Sequence, residues 1–149
     1  MTAHTVLIDH MAVVPALARV SAGVAATATP AGTWQTMPLV VGADNAETFG
    51  VDVAYMYTIP FPGVYWVRFK AYRADAAVTA LGVRINLNGN PSVTDEAAVR
   101  AADGIIIFAG TSYISVFEAG DAIGVQTIHA GGGTVDIPTL LDIQQINTF

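Results

Sequence analysis

The sequence predicts an all-β protein, an antiparallel sandwich or barrel of about eight to ten short strands. Three observations carry this. Strand-like stretches recur between Gly- and Pro-bearing turns along most of the 149 residues. Residues 62–72, PGVYWVRFKAY, start on a turn pair and then alternate with a period of two. Asn88-Gly89 is a tight-turn pair at the end of another alternating stretch, ALGVRINLN.

Taken in order, residues 1–32 are rich in Ala, Val and Thr. Residues 5–8 suit a strand, and residues 11–20 suit a short helix interrupted at Pro15. Residues 21–32, SAGVAATATPAG, carry no large side chain. The region reads either as an N-terminal arm or linker, or as a strand pair laid on the main domain of residues 33–149. Residues 33–41 suit a strand with Trp34 near its start. Residues 49–59 alternate, with Val51, Val53, Tyr55 and Tyr57 on one side and Asp52, Ala54, Met56 and Thr58 on the other. Pro60 and Pro62-Gly63 then force a turn.

The strand at 64–72 has an apolar face of Tyr65, Val67 and Phe69. Its other face, Val64, Trp66, Arg68 and Lys70, is mixed and still holds a tryptophan. A half-buried strand shows a clean polar face to water; this one requires cover on both sides. In residues 80–88, Val83, Ile85 and Leu87 oppose Arg84, Asn86 and Asn88. Residues 91–103 have helical composition, with Thr94 as a cap and Asp95 and Glu96 in a first turn; a long loop fits equally. Strands resume at 104–108, 111–117, 122–129 and 135–146. Gly110, Ala119-Gly120-Asp121 and Gly131-Gly132-Gly133 separate them.

Composition bounds the surface. Apolar residues make up 53% and charged residues 12%, the latter about half the usual share. A domain this small has much surface for its volume, so much of that surface is uncharged, and some of it is expected to face partners. The net charge of −6, with Lys70 the single lysine, argues against nucleic acid, whose phosphates demand Lys and Arg. No basic segment suits an anionic membrane, and no stretch is long and apolar enough to span one. The absence of cysteine excludes disulfides and thiolate chemistry.

The spacing resembles a known family. Residues 62–69, PGVYWVRF, resemble a strand of the complement globular-head family, which shares its jelly roll with the tumour necrosis factor group. Residues 82–89, GVRINLNG, resemble the strand that follows it. Residues 111–125, TSYISVFEAGDAIGV, resemble a third segment, with Phe117, Gly120, Asp121, Ile123 and Val125 on the matching positions. Residues 139–146, TLLDIQQI, resemble the closing strand, which lies beside the first. The resemblance covers about residues 33–147 and implies an antiparallel jelly-roll sandwich. It also implies a homotrimer with one sheet of each subunit turned to the threefold axis. The expected interface residues are then Val64, Trp66, Arg68 and Lys70, with Ile114 and Val116 on the neighbouring strand.

The chemical alternatives are weak. His4, His10 and His129 have no metal-ligand spacing. Asp44, Asp52, Asp75, Asp95, Asp103, Asp121 and Asp136 fall mostly in turns, and Asp121 suits a local backbone hydrogen bond. No Asp-x-Asp-x-Asp-Gly loop and no Gly-x-Ser-x-Gly elbow occurs. Gly131-Gly132-Gly133 lacks the Lys-Ser/Thr of a phosphate cradle. Trp34, Trp66 and the tyrosines suit core or interface better than a sugar platform.

No catalytic, cofactor or metal site is expected. With no collagen-like repeat and no recognisable signal peptide, the sequence is more similar to virion members of the jelly-roll group. The expected role is a trimeric bacteriophage capsid decoration protein, bound to itself and to virion proteins such as the major capsid protein, on the capsid surface or tail. The alternatives are a tail-fibre or tail-tip receptor-binding module and a small jelly-roll carbohydrate-active enzyme.

Overall fold

The computed structural model describes residues 18–24, 28–41, 49–51, 55–73, 78–100 and 107–148. They form thirteen strands: β1 (Arg19–Val24), β2 (Ala28–Pro30), β3 (Gln35–Thr36), β4 (Val40–Val41), β5 (Gly50–Val51), β6 (Tyr57–Thr58), β7 (Gly63–Arg73), β8 (Val78–Leu87), β9 (Asn90–Arg100), β10 (Ile107–Phe117), β11 (Ala122–Gly131), β12 (Thr134–Asp136) and β13 (Thr139–Thr148). The first sheet has the order β10-β7-β13-β1-β4, the second β5-β6-β11-β8-β9 with β3 also on β11. Strands β12 and β2 make a separate two-stranded ribbon. All pairings are antiparallel. The expected all-β antiparallel jelly-roll sandwich is what the chain forms.

Alternation explains the two layers. Strand β7 buries Tyr65, Val67, Phe69 and Ala71, while Arg68, Lys70 and Tyr72 stay exposed. Its register with β13 sets Val67 opposite Ile143 and Phe69 opposite Leu141, all four buried. From the second sheet, Val83 and Ile85 of β8 and Ile123 and Val125 of β11 complete the core. At one end Tyr65 meets the edges of two rings, Phe49 at 6.5 Å and Phe117 at 6.0 Å between centroids. Such edge-to-face pairs are favourable beyond the area they bury.

Several elements differ from the sequence expectation. Strand β1 sits inside the first sheet between β13 and β4, with Val20 and Ala22 in the core. The sandwich therefore takes in residues before position 33; small side chains suit a strand pressed between neighbours. The stretches at 5–8 and 11–17 lie outside the described residues. Residues 33–41 do not make one strand: Met37 and Leu39 are fully buried where the chain passes from the second sheet to the first. The alternation expected over 49–59 breaks at Tyr55, which has a positive φ of 59° and is exposed while Tyr57 is buried; Asp52, Val53 and Ala54 lie outside the described residues.

Residues 90–100 are strand, neither helix nor loop. Pairing with β8 engages one edge of the strand, at residues 90–91 and 96–100, and this tertiary pairing overrides a weak helical preference. Residues 135–146 split into β12 and β13, because Pro138 cannot donate to a ladder. The Asn88-Gly89 turn is as expected, with φ of 52° and 81°, the signature of a two-residue hairpin.

Gly110 is not a separator between strands. It lies inside β10 opposite Lys70. A Cβ there would stand 2.7 Å from both Lys70 Cβ and Phe69 O, so only glycine lets the two backbones approach.

Two predictions follow from this core. Phe69→Ala leaves a cavity between the sheets and is expected to cost about 3–5 kcal/mol, read from urea unfolding midpoints. Burial also pushes the phenols of Tyr57 and Tyr65 above the ordinary tyrosine value. Their stabilising contribution is whole below the unfolded value of about pH 10 and is lost as pH rises through the folded values. Thermal melts from pH 9 to 11 should show this loss, and Tyr57→Phe should flatten it.

Candidate functional site

Strand alternation leaves the outward face of the first sheet to be accounted for. All six expected interface residues lie on it. Across β10 and β7, Val116 pairs with Val64, Ile114 with Trp66, Ser112 with Arg68 and Gly110 with Lys70. Ile114 is 63% exposed and Val116 55%; Val64 and Trp66 are half-buried. Ile146, at an irregularity in the β13 register, and Val40, paired with Gly23, add further exposed apolar surface at the sides. This is a broad apolar face on a protein with few charges, the kind of surface that marks interaction sites.

Sequence reasoning missed the polar group set within this face. Asp142 of β13 pairs across the strand with Arg68 on one side and Ser21 of β1 on the other. Arg68 donates from Nε and Nη2 to Asp142 Oδ2, at 2.9 and 2.5 Å, and Ser21 Oγ donates to Oδ1 at 2.5 Å. The guanidinium also lies 5.2 Å from the Trp66 ring centre, within cation–π range. Asp142 is nearly buried, its side chain 13% exposed, whereas Arg68 is 47% exposed. The carboxylate thus anchors the arginine, and the arginine keeps unused N–H groups at the surface. The signal was present in the TLLDIQQI alternation, where Asp142 and Gln144 fall on one face. Ser21 was not legible, because nothing local shows that β1 lies against β13.

The other candidates are dispersed. His129 is buried; its Nε2 lies 2.8 Å from Thr29 O, and its Nδ1 has no partner. His4 and His10 lie outside the described residues. Asp121 ties a turn together as expected: Oδ1 accepts from Asn88 Nδ2, and Oδ2 accepts from the Glu118 backbone N–H. Trp34 is covered on one face by Arg84, 3.9 Å from its ring centre, and Arg84 in turn donates to Gln126. Trp66 stands on the first sheet and Trp34 just before β3, beside Arg84 of the second sheet; each has its own arginine, and they do not form one platform. Among the described residues, no group of three or more His, Asp or Glu side chains could hold a metal ion.

No protein-family model matches the chain, and no curated protein matches it. Solved structures do. The globular domain of zebrafish complement 1qA protein matches with a TM-score of 0.66 at 12% identity, over 90% of this chain and 100% of that one. Murine APRIL, crystallised at pH 5.0, matches with a TM-score of 0.65 at 9% identity, over 88% and 100%. Eiger TNF from S. frugiperda matches with a TM-score of 0.62 at 10% identity, over 88% and 94%. At such identities the likeness is one of fold, and the fold is the jelly-roll sandwich of the tumour necrosis factor and complement 1q proteins.

Proposed function

We propose that the chain is a non-enzymatic structural protein that assembles through the outward face of its first sheet, as a homotrimer in a virus particle. The observation that carries this is the exposed apolar set on that face, Ile114 and Val116 beside Trp66 and Val64. Burial of apolar surface is favourable by about 25 cal/mol per Å², and a cyclic trimer covers equivalent patches around one axis. The family resemblance implies the same arrangement. A decoration role on a bacteriophage head fits a compact cysteine-free domain with little charge: such a protein stabilises a shell by binding its assembled form. A tail-tip receptor-binding module is the second reading, favoured by the exposed aromatic Phe61 and by Tyr55 held at positive φ.

Light scattering of the purified protein is expected to give three times the chain mass. A monomer mass at micromolar concentration would sink the trimer. Trp66→Glu places a charge in the contact and should give a monomer with an unchanged far-ultraviolet spectrum; a trimeric Trp66→Glu variant means the contact lies elsewhere. For the virion role, isolated particles should carry the protein in many copies, and particles lacking it should lose their contents at lower temperature. Few copies together with host-cell binding would favour the tail-tip reading.

A further inference from the structure

The proposed trimer face contains a feature that apolar burial does not explain. Lys70, the single lysine of the chain, projects from β7 among neighbours that do not answer its charge. Its cross-strand partners are Gly110 on β10 and Leu140 on β13. Gly110 has no side chain, so a shallow cavity of about 380 Å³ opens beside the lysine, lined also by Arg68 and Ser112. Among the described residues Lys70 makes no ion pair. Arg68 is held at the other side by Asp142, whose two oxygens are engaged by Arg68 and Ser21. The notch is therefore bordered by an unpaired lysine, an anchored arginine with spare N–H groups and a serine.

We infer that this notch takes a carboxylate side chain from a second copy of the chain. The inference rests on the trimer reading above and names the chemistry of one contact within it. An ammonium covered by an apolar interface without a counter-charge is costly, so a face that buries Trp66 and Ile114 must also answer Lys70. The chain supplies the answer in excess, with 12 acidic residues against six basic ones. Among the described acids, Asp142 and Asp121 are engaged, while Glu118 and Asp136 are exposed. A ring-closing contact joins two different patches of the subunit, so an acid remote from Lys70 on one copy can meet Lys70 on the next. The glycine at 110 gives a carboxylate access beside the lysine stem that any larger side chain would close.

The test compares wild type, Lys70→Met, Lys70→Glu and Lys70→Arg by sedimentation velocity over a dilution series, at about 50 and about 500 mM salt. The wild-type trimer should weaken with salt. Lys70→Met should weaken assembly about tenfold at low salt and lose most of the salt dependence, as expected for a deleted interfacial charge. Lys70→Glu should weaken it further, and Lys70→Arg should restore it. A wild type that is trimeric but indistinguishable from Lys70→Met in strength and salt dependence overturns the notch and leaves the trimer standing. A wild type that is monomeric throughout overturns both.

Discussion

The register between β7 and β13 is the constraint on which the rest of the molecule depends. It places Val67 against Ile143 and Phe69 against Leu141 inside the sandwich. By the same stroke it places Arg68 against Asp142 and Trp66 against Gln144 outside. A slip of one residue would exchange the two sets, drowning the core in charge and exposing its aromatics. The core and the outward face are therefore one decision, made once along two adjacent strands. The Arg68–Asp142–Ser21 cluster reinforces it, since its geometry is reached in this register alone. That gives the polar group a structural reason to sit beside the apolar part of this face, in line with the registry role of paired charges.

What could be read from the sequence was what local periodicity encodes. The inward set Tyr65, Val67, Phe69 and the outward set Val64, Trp66, Arg68, Lys70 follow from alternation alone, as does the Asn88-Gly89 hairpin. The stretches that misled are those where long-range contacts outvote local signals. Residues 94–96 carry a helix-like start, yet residues 96–100 pair with β8. Gly110 looks like punctuation, and its meaning appears only with Lys70 across the ladder. Residues 20–24 offer no large side chain, and their place inside a sheet is set by β13 and β4. Of the site, the apolar half was legible and Asp142 left a trace in the alternation of its strand, whereas its link to Ser21 was hidden, because a cross-strand partner 121 residues away leaves no mark on its neighbours in sequence.

The face has two kinds of contact to offer, and they do different work. The apolar set around Ile114 and Val116 supplies non-directional attraction. In the proposed assembly the charged set would fix orientation, since a docking that leaves Lys70 unanswered is penalised. A chain with so little charge elsewhere would have few other means of choosing how copies dock in that assembly. This is consistent with concentrating its single lysine and an anchored arginine on one sheet face.

The position of β1 has a consequence for how the chain reaches this structure. Ser21 and Asp142 are 121 residues apart in sequence, and β13 has to be in hand before β1 can be enclosed between it and β4. Loop-closure entropy must be met before those contacts repay it, and topologies dominated by such distant pairings fold slowly, on the millisecond-to-second scale. During synthesis β1 has only the short β4 to pair with, and its long edge stays open until β13 has emerged. Its brevity and its small side chains, Ala22 and Gly23 among them, make it a poor template for strangers in that interval. The same plainness that hid this strand in the sequence protects the nascent chain while it waits for its partner.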